Sequence, residues 1–284
     1  MTGTTQTATH TTTRPATRRG IMKMLDEIGV FMARDLQHIP RVPEKLLDVT
    51  LQPLMFVLLF GYIFGSAIDV GDSGNYREFL MAGIFIQTLA FRCVSTATGI
   101  VTDFGEAVID RFRVLPISSL SILVGRAAGE MIEGLLGIVV MALCGLLIGW
   151  SPEAGLGPAL GGFALMIYFS FAMIALGAGL GLSVRTQNAA QAIGFLVIFP
   201  LTFASNAFVP IDGMPAVVRL VTDWSPVTPV VAALRDLFGN PNPIPADASW
   251  MLLHPVAGSL IWCTVLTVAG LGVAVWRFGA RRNG

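Results

Sequence analysis

The chain has 284 residues, 54% of them hydrophobic and only 13% charged, with 18 basic against 18 acidic side chains and a mean hydropathy of +0.72. Soluble domains carry about 25% charged residues, and here the apolar residues come in unbroken runs, which excludes a soluble globular domain. With zero formal charge and no basic patch outside the termini, a nucleic-acid-binding surface is excluded too.

In chain order, residues 1–19 are rich in Thr, Ala and Arg and lack an apolar core, so they read as a disordered, uncleaved cytoplasmic tail. Residues 20–37 place Ile21, Met24, Leu25, Ile28, Phe31, Met32 and Leu36 at helical spacing, with Lys23, Asp26, Glu27, Arg34 and Asp35 mostly opposite. That pattern predicts an amphipathic helix lying along the membrane interface, ended by Pro40 and Pro43. Six apolar runs follow, at about 46–68, 79–102, 120–149, 159–184, 189–208 and 251–276, each long enough to cross a bilayer as a helix. Gly61, Gly65, Gly177, Gly179 and Gly181 are ordinary inside such helices, where small residues let neighbours pack closely. Pro200 interrupts the fifth and shortest run, which bends back at the outer face or exits there.

Lys and Arg set the orientation. With both termini inside, the inner side collects Arg14, Arg18, Arg19, Lys23, Arg34, Arg41, Lys45, Arg111, Arg113, Arg185, Arg277, Arg281 and Arg282, while the outer loops hold Arg77, Arg219 and Arg235. The expectation is therefore an all-α polytopic membrane protein with six spans over 46–276, N-in and C-in. Residues 277–284 form a basic cytoplasmic tail. The outer stretch 209–250 predicts two short helices broken at Ser225-Pro226-Val227-Thr228-Pro229 and flanked by Trp224 and Trp250 as interfacial anchors.

Catalytic signatures are missing from the sequence. There is no GxxxxGK[ST], HExxH or GxSxG, and His10, His38 and His254 are too scattered to share a metal. Cys93, Cys144 and Cys263 fall inside apolar runs without ligand spacing and read as free buried thiols. The chain is read as no enzyme, with no catalytic residue, metal or cofactor of its own, so energy for any work must come from a partner or a gradient.

Two charged features stand out. Residues 103–118 form a charged island between the second and third runs, with three acidic and two basic side chains between Asp103 and Arg113, and Pro116 stopping it. It suits either a docking surface for a soluble protein or an ordinary solvated connection. Inside the apolar runs, Arg92 and Glu130 lie at similar depth, about 15 Å in at roughly 1.5 Å per residue. Arg126, Glu130 and Glu133 share one helical face. A pair of Arg92 with Glu130 or Glu133 either fixes helix packing or serves proton coupling or a charged substrate.

The element DRFRVLPIS at Asp110–Ser118, with Phe208-Val209-Pro210 and Ser225-Pro226-Val227-Thr228-Pro229, resembles the type-2 integral-membrane permeases of ABC exporters, most closely their daunorubicin-resistance, multidrug-exporting branch. The resemblance implies a permease in the bacterial cytoplasmic (inner) membrane. Two copies of it, a homodimer, would work with two copies of a separate ABC ATPase that binds ATP and Mg. Segment 103–118 would be the coupling helix: Glu106, Asp110, Arg111 and Arg113 make charged contacts, Phe112 and Leu115 fill the ATPase groove, and Pro116 closes the element. The stretch 209–250 would be a re-entrant extracellular element. A hydrophobic drug, antibiotic or lipid-like compound would pass by Phe56, Phe60, Phe85, Gln87 and Phe199. A polysaccharide or lipid-linked glycan as cargo, and a gradient-driven carrier using Arg92 and Glu130, are the alternatives; a membrane-embedded enzyme ranks last.

Overall fold

The computed structural model describes residues 51, 54–56, 58, 59, 76–103, 119–211, 214–245 and 247–283. The expected tail, the interfacial helix, most of the first span with Phe60, and the coupling residues Glu106, Asp110, Arg111, Phe112, Arg113, Leu115 and Pro116 lie outside the described residues.

The described residues are helical, with no strand among them. In chain order the named helices are α1 (Tyr76–Ala90), α2 (Arg92–Asp103), α3 (Ser119–Leu147), α4 (Leu156–Ser183), α5 (Gln187–Phe203), α6 (Ala216–Trp224), α7 (Val227–Phe238), α8 (Trp250–Leu253) and α9 (Pro255–Asn283). α1 and α2 are in effect one rod: the chain turns at Phe91, but Phe91 N–H still donates to Gln87 O (3.2 Å) and Ser95 N–H to Phe91 O (3.2 Å).

Among the described residues four helices are long and apolar enough to cross a membrane: Tyr76–Asp103, Leu123–Leu147, Leu156–Ser183 and Pro255–Gly279. A fifth is reached if α6 and α7, bent by 71°, count as one. Each of the four matches an apolar run of the sequence to within a few residues. The expected fifth span, 189–208, differs: α5 is 17 residues long and ends at Phe203. Pro200 has no N–H to offer, and the chain then folds into a turn in which Ser205 Oγ donates to Thr202 O and Ala207 N–H to Ser205 Oγ. The sixth run also starts later than expected, at Pro255, after the separate turn α8.

The α1–α2 rod lies at the centre. Phe79, Phe85, Ile86 and Ala90 are fully buried, as an apolar helix enclosed by others requires. α4 packs along it at backbone distance. A Cβ on Gly181 would stand 2.7 Å from the Ala97 carbonyl oxygen and one on Gly177 would collide with that of Cys93, so this GxxxG face brings two helices into direct contact. Around this centre, α3, α5 and α9 present long apolar faces outward: Leu143, Leu146, Leu196, Val268 and Val275 are each more than half exposed. Water would make such faces costly, and hydrocarbon makes them ordinary. The chain is a multi-pass membrane protein.

Candidate functional site

Charge is concentrated where α2 and α3 run antiparallel. Arg92 Nη1 donates to Glu133 Oε2 at 3.2 Å and its Nη2 to the Glu133 carbonyl at 3.2 Å. The same guanidinium lies 3.6 Å from Glu130 Oε2. Glu130, only 3% exposed, takes Arg126 Nη2 on Oε1 at 3.0 Å and Ser95 Oγ on the same atom at 3.2 Å. Arg126 Nη1 reaches back to Asp103 Oδ2 at 3.6 Å. The side chains Asp103, Arg126, Glu130, Arg92 and Glu133 thus form a continuous ladder. It crosses from one helix to the other over the 11 residues between Arg92 and Asp103, about 16 Å of helix.

All four residues that the sequence singled out by depth and face are in this ladder. The carboxylate nearest to Arg92 is Glu133, with Glu130 second. Sequence reasoning missed Ser95 and Gly99. The Arg126 guanidinium lies in the notch above Gly99, where any Cβ would collide with it. The available signal was spacing: Arg92, Ser95 and Gly99 lie at i, i+3 and i+7, on one face of α2.

A second buried cation sits in another part of the fold. Arg235, on α7, was counted from the sequence among the outer-loop charges, yet it is 1% exposed. Its Nε donates to Phe79 O at 3.0 Å, and Nη2 donates to Asn206 O at 2.9 Å and Ala207 O at 3.2 Å. The guanidinium also lies 3.5 Å from the centroid of the Phe79 ring. Nearby, Tyr76 Oη donates to Phe208 O at 3.1 Å. α7, the start of α1 and the turn after α5 are pinned together by one guanidinium. No sequence pattern announces this, because the acceptors are backbone carbonyls up to 156 residues away.

A third feature is an aromatic run. Phe195, Phe199 and Phe203 recur every four residues along α5, with adjacent ring centroids 5.6 and 5.5 Å apart. Phe91 joins at 5.9 Å from both Phe195 and Phe199, and Phe208 at 5.5 Å from Phe203. Phe199 and Phe203 are nearly half exposed. Of the other residues expected along a path, Phe56 packs against the main core cluster. Phe85 is fully buried between Trp150 and Phe238. Gln87 is buried with neither amide nitrogen nor amide oxygen hydrogen-bonded. Gln87 and Phe91 are one helical turn apart on the rod, and Phe91 meets α5.

Among the described residues no group of His, Cys, Asp and Glu could hold a metal, and Cys93, Cys144 and Cys263 are free, the first and last buried and Cys144 half-buried.

Comparison with known proteins gives a consistent picture. A family model described as ABC-2 type transporter matches residues 26–238. The daunorubicin resistance ABC transporter permease protein DrrB1 of Streptomyces coeruleorubidus is 29% identical over 224 residues, 79% of this chain and 77% of that protein. The probable doxorubicin resistance ABC transporter permease protein DrrC of Mycobacterium tuberculosis is 23% identical over 220 residues, 76% of this chain and 75% of that one. The inner membrane transport permease YadH of Escherichia coli is 21% identical over 248 residues, 85% of this chain and 94% of the relative.

Proposed function

The chain belongs to the ABC-2 type transporter family, and from that premise we propose that it is the permease subunit of an ATP-driven exporter, carrying a hydrophobic drug-, antibiotic- or lipid-like compound out across the cytoplasmic membrane. The observation that carries the reading is the family match itself. Its bounds, 26–238, enclose 103–118, between the two long helices that the charge ladder joins.

In this reading a separate ATPase subunit docks on 103–118, through Glu106, Asp110, Arg111 and Arg113 with Phe112 and Leu115 in its groove. ATP and Mg bind on that subunit. Two permeases and two ATPases form the working unit, with six spans per permease and both termini in the cytoplasm. Closure of the paired ATPases on ATP moves the coupling segments, and the spans above tilt as rigid bodies toward an outward-open state. The bent α6–α7 pair is the re-entrant element on the outer side. The exposed aromatic run on α5, with Phe91, supports an apolar route, and two relatives named for resistance to daunorubicin or doxorubicin support a drug-like cargo.

The test is to co-express the chain with its candidate ATPase and purify the pair in lipid nanodiscs. ATP hydrolysis is then measured with wild type and with Asp110→Ala/Arg113→Ala. Co-purification with stimulated hydrolysis, both lost in the double variant, is the expected result. Equal stimulation by the double variant would remove 103–118 as the docking segment.

A further inference from the structure

We propose that the ionic ladder of Asp103, Arg126, Glu130, Arg92 and Glu133 makes α2 and α3 a single lever, with Arg126 as the positioning residue that ties this lever to the ATPase-docking segment. The proposal rests on the permease reading and goes beyond it, because it assigns a transmitting role to Arg92, Arg126, Glu130 and Glu133, which lie outside the docking segment.

Three observations carry it. The first is place. Asp103 is the last residue of α2 and α3 opens at Ser119, so the ladder begins at the helix end from which 104–118 departs.

The second is the number of crossings. Asp103 to Arg126, Glu130 to Arg92, and Arg92 to Glu133 each bridge the two helices, at 3.6, 3.6 and 3.2 Å. Ser95 adds a hydrogen bond between them at 3.2 Å. One crossing would be a pivot about which the helices could splay. Crossings spread along about 16 Å of helix resist both splaying and sliding, since a slip of one turn separates every pair in a medium where charges are costly to leave unpaired.

The third is the Gly99 notch. With no side chain at that position, the Arg126 guanidinium lies against the α2 backbone and reaches Asp103 and Glu130 together. A planar fork serves two carboxylates in a way that a point charge does not. A push at 104–118 is therefore delivered to the depth of Arg92 instead of being lost in bending between the helices.

The experiment uses the full chain with its ATPase in nanodiscs and compares wild type, Arg126→Gln, Arg126→Lys and Asp103→Asn. Three quantities are read for each: ATPase retained on the purified permease, stimulation of ATP hydrolysis over the ATPase alone, and Tm of the complex. The lever predicts wild-type retention in the Arg126 variants but stimulation per retained complex lower by about five- to tenfold in Arg126→Gln. Arg126→Lys should be intermediate. Asp103→Asn, which weakens the rung at the start of the docking segment and leaves Glu130 paired, should lower stimulation per retained complex with Tm unchanged.

A ladder that is merely structural would lower Tm and leave stimulation per retained complex unchanged, which overturns the proposal. If Arg126→Gln does not fold, Arg126→Lys decides, with stimulation read per retained complex. Wild type that neither retains nor stimulates the ATPase would instead overturn the permease reading, and the lever with it. That outcome is distinct, because it shows before any variant is made.

Discussion

The molecule buries arginine in two different ways. On α2 and α3, Arg92 and Arg126 are held chiefly by carboxylates of the two helices, charge against charge, with one backbone carbonyl, that of Glu133, added for Arg92. On α7, Arg235 is held by three backbone carbonyls and an aromatic face, with its partners fixed by the course of the chain. Side chains can change rotamer or be replaced in pairs, whereas carbonyls cannot. The first arrangement suits parts that must stay joined while moving, and the second suits a joint that must not open.

The sharpest way to break this comparison is Arg235→Met. The side-chain volume is kept while three carbonyls lose a charged donor, each such bond contributing about 1.5–3 kcal/mol. The expected outcome is the largest loss of stability of any change considered, at least about 4 kcal/mol, read as a collapse of the monodisperse peak in detergent.

Next comes Arg92→Ala, which leaves buried Glu130 and half-buried Glu133 without their shared cation, at an expected cost of about 3–5 kcal/mol. The comparison is sharpened by Arg92→Met/Glu133→Leu. Replacing both members by apolar groups should recover at least about half of that loss in a thermal-unfolding series, whereas the three carbonyls that accept from Arg235 belong to the backbone and cannot be replaced.

Two glycines beside the two arginines give a smaller contrast. A Cβ on Gly83 would meet the Ala207 carbonyl, part of the Arg235 joint, and the backbone there cannot yield. A Cβ on Gly99 would meet the far end of Arg126, which can swing aside. Gly83→Ala should therefore cost more than Gly99→Ala, the latter about 1–3 kcal/mol. Equal shifts in Tm would contradict the distinction.

The smallest effect belongs to an exposed pair. Arg219 Nη2 donates to Asp247 Oδ1 and holds that carboxyl below its usual range. A depressed folded-state value stabilises above the unfolded pKa, and this is lost as pH falls through the folded value, below about pH 4. Asp247→Asn should flatten that part of a Tm-against-pH curve slightly, and high salt should hide it.

Much of the architecture was legible in the sequence because the bilayer sets it. The runs that became α1–α2, α3, α4 and α9 are unbroken and charge-poor over the length a membrane demands, and depth counting from the island brought Arg92 opposite Glu130 and Glu133. What stayed hidden depended on contacts without a side-chain signature. Arg235 looked like a loop cation because its acceptors are carbonyls, and α5 stopped short of its apolar run because the Ser205 turn captured the chain after Pro200. The Phe195, Phe199 and Phe203 stripe was readable as a helical face, but only packing shows that Phe91 and Phe208 extend it.

The ladder also bears on how the chain is made. An arginine at mid-helix disfavours membrane insertion of its segment by about 2.5–3.5 kcal/mol, and α3 carries two carboxylates of its own. Each segment is a poor substrate for the insertion machinery alone, yet together they neutralise one another. Arg92 and Glu133 are 41 residues apart, about 2–8 s of synthesis. The expected consequence is that α1–α2 stays at the translocon through that interval and enters the lipid with α3 as a hairpin. Nascent chains arrested before and after Glu133, scored by glycosylation of an engineered acceptor site, would show the second helix pulling in the first.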